Sequence, residues 1–227
     1  MKGLFITGTD TNVGKTYVAC QIAAELKSCG INVIPRKPIE TGCKLIKGIL
    51  HPSDADLLLK ASQANQSLDT VCPYRFAPAI SPQIAARESG KSLNLENLVS
   101  ACTYETDNDS FLIVEGAGGF YSPICENALN ADLAKKLKLP VVLVIEDRLG
   151  SVNQALLSIA AIEKYNLKIS AIILNSHSST MQNSLIDNQT EIENFADYPV
   201  LKTLFNQPIS VVYIQQLLKL QLNSKNK

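Results

Sequence analysis

Lys15 and Thr16 close the stretch GTDTNVGKT, which runs from Gly8 to Thr16. A lysine and a hydroxyl directly after a glycine are the residue types that hold a polyphosphate. Their setting agrees. Leu4 to Thr7 is an apolar run of strand formers, and Val18, Ile22, Ala23 and Leu26 follow at helical spacing. A glycine-bearing loop between a strand and a helix is what a phosphate loop of the Walker A type needs. Backbone N–H groups of the loop and of the helix start would cradle phosphate oxygens. Lys15 would reach the β- and γ-phosphates, and Thr16 would offer its hydroxyl to Mg²⁺. The spacing is unusual, because five residues rather than four lie between Gly8 and Gly14.

More charge is expected at the ends of other strands. Lys37 closes the run INVIPRKP, just before Pro38, and Thr41 and Gly42 follow it. Glu115 closes FLIVEG and leads into Gly116–Gly119. A carboxylate at the end of an apolar strand is costly unless it is paired or metal-bound. Asp54 and Asp56 lie in HPSDAD, at a helix start where the dipole favours acids, and Asp56 is read as no more than that. Asn175 ends ISAIILN. His51 and His177 are the only histidines. They are read as solvated loop residues, so the chemistry is not that of a histidine triad or a histidine-rich metal site.

The elements that must position these groups read β-α-β repeatedly. LFIT is the first strand, residues 14–28 the first helix and Ile31 to Pro38 the second strand. ETGCKLIKG reads as a polar loop, and SDADLLLKAS as a helix with Ser53 as its cap. CPYRFAPAISPQIAARESG reads as a long functional loop entering a helix, and 95–105 as another helix. FLIVEG, VVLVIE and ISAIILN are strands, with the helices NALNADLAKKLK and SVNQALLSIAAIEKY between them. YPVLKTL is a late strand and PISVVYIQQLLKL a closing helix. Continuous Val/Ile/Leu runs predict strands covered on both faces. The expectation is one three-layer α/β/α domain over residues 1–227 with a mostly parallel sheet. Ligands would bind beyond the carboxyl ends of its strands.

Composition narrows the classes. Twenty-one basic residues balance 21 acidic ones, so no nucleic-acid or anionic-membrane footprint is expected. No apolar run approaches the ~20 residues of a membrane span. The six cysteines show no Cys-x-x-Cys spacing, and no secretory leader is read ahead of the first strand. A cytoplasmic protein with free thiols is expected.

Five separated stretches, TGTDTNVGKT, KPIETG, PYRFAPAISP, VEGAGG and RLGSVNQALL, resemble the dethiobiotin synthetase family of the P-loop NTPase fold in order and content. Two positions depart from the family pattern: Asn12 stands where Glu is frequent, and Arg148 where Lys is common. The resemblance implies ring closure of 7,8-diaminononanoate with CO₂ and ATP, with Mg²⁺. It implies catalytic roles for Lys15 and Lys37 and a metal set of Thr16, Asp54 and Glu115. Nucleotide contacts are implied for Thr11, Asn12, Val13, Gly14, Lys15, Thr16, Tyr17, Glu115, Gly118 and Asn175. Substrate contacts are implied for Thr41, Ser81, Gly118 and the segment Leu149, Gly150, Ser151 and Asn153. That segment would come from the second subunit of a homodimer with shared active sites.

Rival readings are a related amidoligase, a partitioning-type P-loop ATPase switch and a silent scaffold. The amidoligases carry an added glutaminase domain, for which this chain is short. The switches carry an extra lysine where this chain has Asp10 or Thr11. Intact Lys15, Thr16, Lys37, Asp54 and Glu115 argue against a silent scaffold.

Overall fold

The computed structural model describes residues 2–106, 109–176 and 187–203, together with 207, 209 and 214. The chain begins with β1 (Lys2–Gly8), α1 (Lys15–Ser28), β2 (Val33–Arg36), β3 (Ile39–Glu40), β4 (Lys44–Ile46), β5 (Ile49–His51) and α2 (Ser53–Ser62). It continues through α3 (Leu68–Val71), β6 (Tyr74–Arg75), α4 (Pro82–Glu88), α5 (Leu95–Thr103), β7 (Phe111–Glu115), β8 (Pro123–Cys125) and β9 (Ala128–Leu129). The remaining elements are α6 (Asn130–Leu137), β10 (Val141–Glu146), α7 (Ser151–Lys164), β11 (Ile169–Asn175), α8 (Asn188–Glu193) and β12 (Val200–Lys202). The expected closing helix falls outside the described residues except at Ile209 and Ile214, and His177 lies outside them too.

Six strands form one parallel sheet in the order β12-β11-β10-β1-β7-β2. Side chains alternate across it, as the two-residue period of a strand requires. Leu4 and Ile6 of β1 pack with Val18, Ile22 and Leu26 of α1 and with Leu58 of α2. Phe5 faces the other way, into a core with Leu98 of α5, Ala131 and Ala134 of α6, and Ile159 and Ile162 of α7. Both faces are therefore covered, which explains the unbroken apolar runs. The layers are α/β/α, as expected. The chain leaves β1, passes over the position later filled by β7 and lays down β2 at the sheet edge. Such a reversal opens a crevice at the carboxyl ends of the strands.

Three local expectations change. ETGCKLIKG is not simply a loop, because β4 and β5 pair antiparallel around Lys47 and Gly48. Those two residues hold φ of 50° and 79°. Two successive left-handed residues are what a tight hairpin turn demands. The helix expected from Asn127 starts at Asn130 instead, since Asn127 turns at φ 56° and Ala128–Leu129 pair with β8. Ser53 does not cap α2, for a reason that lies in the site itself.

Candidate functional site

The phosphate loop is shaped from its two ends. Gly8 must be glycine: a Cβ there would stand 2.6 Å from Cγ2 of Val13, which folds back under the loop and is 4% exposed. Asn12 and Gly14 take φ of 58° and 96°, and Gly14 hands the chain to α1. Asparagine tolerates that region better than most residues, and glycine enters it without steric cost. Lys15 is buried, and its Nζ donates to the carbonyl of Asp10 at 2.6 Å. Burial first, then the positive charge of Lys37, brings its ammonium down to a pKa of about 8.

Lys37 sits where β2 ends. β2 is an edge strand and so accommodates Pro35, while Pro38 keeps the chain extended past Lys37. The side chain is buried at 4% exposure, and Nζ donates to Oε1 of Glu115 at 2.7 Å. Asp54 Oδ2 lies 3.6 Å from the same nitrogen. Burial disfavours the ammonium, but the Glu115 and Asp54 carboxylates outweigh it and the pKa is raised. Oε1 of Glu115 also accepts from the Thr16 hydroxyl at 2.8 Å. Glu115 is 1% exposed, and its Oε2 has no hydrogen-bond partner among the described residues. A buried, unpartnered carboxylate oxygen is expensive unless something else comes to it.

Asp54 is held by a residue that sequence reasoning missed. The N-cap position of α2 is Pro52, which offers no side-chain acceptor. Glu40, buried at the end of β3, takes that part from outside the helix. Its carboxylate accepts from the N–H of Asp54 at 3.1 Å, the N–H of Ala55 at 3.0 Å and the Ser53 hydroxyl at 3.4 Å. Ser53 is thus a donor to the cap and not the cap. The signal in the sequence was a proline in the cap position, which sends the search for an acceptor elsewhere. Asp56, as expected, is a helix-start acid, pairing with Lys60 at 2.7 Å and His51 at 3.4 Å. His51 lies half-buried on β5 rather than free in a loop.

These groups share one cavity of about 680 Å³. Of the anticipated residues, Thr11, Asn12, Gly14, Lys15, Thr16, Lys37, Thr41, Asp54, Ser81, Glu115 and Gly118 all line it. Ser81 arrives on the long loop before α4, together with Ala79, Ile80 and Pro82. Glu40, Ala117, Ser122 and Pro123 line it as well and were not anticipated.

The other anticipated residues stand apart from the cavity. Val13 packs on Gly8. Tyr17 directs its hydroxyl to the carbonyl of Gln207 at 2.6 Å. Asn175 is buried behind the phosphate loop, donating to the carbonyl of Val13 at 3.0 Å and accepting from the Thr203 hydroxyl at 2.8 Å. Its amide therefore braces the loop from below. None of Leu149, Gly150, Ser151 and Asn153 lines the cavity. Leu149 is 78% exposed, whereas Ser151 is buried with its hydroxyl bonded to the carbonyls of Glu146 and Arg148.

A family model described as an AAA domain matches residues 2–210. The ATP-dependent dethiobiotin synthetase BioD of Ruthia magnifica is 46% identical over 207 residues, which cover 91% of this chain and 92% of that protein. The chain belongs to the dethiobiotin synthetase family. The synthetase of Vesicomyosocius okutanii, 43% identical, aligns over 98% of both chains. Likeness to the dethiobiotin synthetases thus continues past residue 175, where the motifs thin out. A ParA family ATPase from Chlorobium tepidum superposes with a TM-score of 0.56 over 99% of this chain and 92% of that one. At 16% identity it shares the P-loop fold and no more.

Among the described residues, no helix is long and apolar enough to cross a membrane. No group of three or more His, Cys, Asp or Glu among them could hold a metal ion. All six cysteines are free, and burial pushes the Cys102 thiol up to about 12, far from a reactive thiolate.

Proposed function

We propose that this chain makes dethiobiotin in biotin synthesis, closing the cyclic urea of 7,8-diaminononanoate with CO₂ at the expense of ATP. The observation that carries the reading is the single cavity joining the phosphate loop to Lys37, Asp54 and Glu115, in a chain of this family. One amine of the substrate takes up CO₂ and loses a proton, giving a carbamate. A carbamate oxygen attacks the γ-phosphorus and ADP leaves. The second amine attacks the carbamate carbon and gives up a proton, phosphate leaves, and the ring is closed.

The first transfer brings an anion up to a polyphosphate, so its barrier is largely one of charge and position. Lys15 and Lys37 answer that need from two sides. Lys15 stands in the phosphate loop, where burial weakens the hold of its ammonium on the proton and incoming phosphates would strengthen it again. Lys37 stands across the cavity, kept protonated by Glu115 and Asp54, and neutralises charge on the carbamate and the transferring group. No step calls for a histidine base.

Mg²⁺ fits this donor set. The Thr16 hydroxyl and the carboxylates of Asp54 and Glu115 are hard oxygen donors, and Oε2 of Glu115 is buried without a partner among the described residues. With only two carboxylates in this set, nucleotide oxygens and water would complete the shell; when bound, the ion supplies further neutralisation of the phosphate oxygens. The far carboxylate of the diamine would rest on the segment Leu149–Asn153 of a second subunit, in a cytoplasmic homodimer. Thr41, Ser81 and Gly118 would border the diamine, and Thr11, Asn12 and Gly14 the phosphates.

The test is direct. Protein is incubated with diaminononanoate, bicarbonate, Mg²⁺ and ATP, and dethiobiotin is sought by mass. Phosphate release should require diamine, CO₂ source and Mg²⁺ together. Equal ATP turnover without diamine would refute the reading and favour a nucleotide switch.

A further inference from the structure

Glu115 reaches the cavity as the last residue of β7, and Ala117 and Gly118 reach it on the loop that follows. The N–H of Gly116 donates to the carbonyl of Ile6 at 3.0 Å, and the loop does not meet β1 again until Phe120. One side chain outside the cavity grips the next residues. Asn130, the first residue of α6, is 1% exposed. Its Oδ1 accepts from the N–H of Ala117 at 3.2 Å. Its Nδ2 donates to the carbonyls of Ala117 at 2.5 Å and Gly119 at 2.8 Å. Both ends of the amide are thus spent on three groups of one short loop. The backbone of the same helix start adds Asn130 N to Ser122 O at 3.1 Å and Ala131 N to Phe120 O at 3.0 Å.

The opposite side of the loop rests on the phosphate loop. The N–H of Phe120 donates to the carbonyl of Gly8 at 3.1 Å, and a Cβ on Gly119 would stand 3.0 Å from the carbonyl oxygen of Thr9. A Cβ on Gly116 would stand 2.9 Å from Oδ1 of Asn130. The glycines let a thin wall lie between Asn130 and the phosphate loop. A fully satisfied buried amide fixes such a wall in one position.

We propose that Asn130 is a positioning residue for the reaction: it sets where Ala117 and Gly118 stand against the phosphate loop and Lys37. The inference rests on the activity proposed above. Its effect falls on the chemical step, because misplacement of the reacting groups by about 1 Å costs on the order of 10²-fold in rate. Nucleotide affinity is spared, because Gly8–Thr16 and α1 present their own N–H groups.

Two variants test it. Asn130→Ala removes all three bonds. Asn130→Asp keeps the acceptor for Ala117 N–H but turns a carboxylate oxygen toward two carbonyls. For each, kcat and KM for the diamine, ADP affinity, the thermal midpoint and hydrogen exchange of residues 116–120 are measured. The expected result is a kcat lowered about tenfold or more, ADP affinity within about threefold of wild type, and faster exchange confined to that loop. If Asn130→Ala does not fold, Asn130→Ser takes its place beside Asn130→Asp. Wild-type kcat with only a lowered thermal midpoint overturns the inference, as does a parallel loss of ADP binding. Wild-type protein that makes no dethiobiotin overturns the assigned reaction first; wild type that makes it, with variants that keep its kcat, overturns this inference alone.

Discussion

Two helices of this protein begin in the same way and end up in different surroundings. α1 follows β1, and α7 follows β10, the neighbouring strand. Each starts from a glycine in the left-handed region, Gly14 at φ 96° and Gly150 at φ 89°. Each therefore presents a first turn of N–H groups without a side-chain cap. Around α1 the chain builds walls of its own: Lys37 from β2, Glu115 from β7 and the glycine loop braced by Asn130. Around the start of α7 it builds mainly the root. Asp147 is buried, bonded to Lys202 at 2.9 Å and to Asn188 at 2.7 Å, and Arg148 folds over the turn onto Glu146. Above that root stands Leu149, 78% exposed. An anion-binding helix start is thus a generic device, and its use depends on what stands opposite. For α1 the opposing groups are in the chain. For α7 they would have to come from another copy, as the proposed shared active site requires.

The contrast breaks most readily at Lys37. Lys37→Ala should lower turnover by about 10²–10³, the usual cost of one preorganised charge-stabilising donor. ADP affinity should change little, since the phosphate loop is intact. Steady-state kinetics with a parallel ADP titration decide it, and a near-wild-type rate would take Lys37 out of the mechanism.

Glu115→Gln comes next. It should slow turnover by about 10² and raise the Mg²⁺ needed for half-maximal rate. It also leaves Lys37 buried without its nearest counter-charge, so the thermal midpoint should fall, on the scale of roughly 3–5 kcal/mol for a broken buried pair. Asp54→Asn should do the same more weakly, because Asp54 is half-exposed and 3.6 Å from Lys37. Mg²⁺ titrations that match wild type in both variants would reject the proposed ligand set.

The two helix starts also differ in how far they could be read from the sequence. Glycine, lysine and threonine in a strand-to-helix turn are local, and Lys37 and Glu115 declare themselves by ending apolar strands. The parallel sheet was legible for the same reason, because burial on both faces leaves unbroken runs such as VVLVIE. What escaped were polar side chains whose partners are backbone groups far along the chain. Glu40 reaches residues 54 and 55, and Asn130 reaches residues 117 and 119. Side-chain-to-backbone bonds of that span are set by the packing of elements and leave no periodicity. Arg36 is a further case: fully buried in β2, it donates to the carbonyls of Ala101 and Tyr104 and to Gln66. Nor did the sequence show that Asn175 faces the underside of Val13 rather than the cavity.

The start of α7 is tested by Gly150→Trp. A bulky side chain there should raise KM for the diamine about tenfold, a loss of roughly 1.4 kcal/mol of binding, and leave ATP binding intact. Mixing this variant with Lys37→Ala protein should restore activity, because a hybrid dimer carries one site with both halves unaltered. If subunits exchange and the mixture shows no fraction of sites with wild-type kcat and KM, the shared site is wrong and α7 has no anion to hold.

A third helix start lies between these two cases and carries the smallest expected effect. α2 has neither a glycine turn nor a cap of its own, and Glu40 supplies the acceptors from a neighbouring strand. Glu40→Ala should cost about 0.5–2 kcal/mol of stability, the scale of a lost cap. Turnover should fall only a few-fold, because Asp54 keeps its place in the chain and loses only its fixed backbone. Glu40→Gln separates the two ways a carboxylate supports a helix start. The glutamine oxygen still accepts one N–H but brings no negative charge to the dipole. If hydrogen bonding dominates, Glu40→Gln recovers most of the stability lost in Glu40→Ala by chemical denaturation. If charge dominates, the two variants unfold together. A Glu40→Ala protein as stable as wild type would show that α2, like α7, starts well enough without a partner.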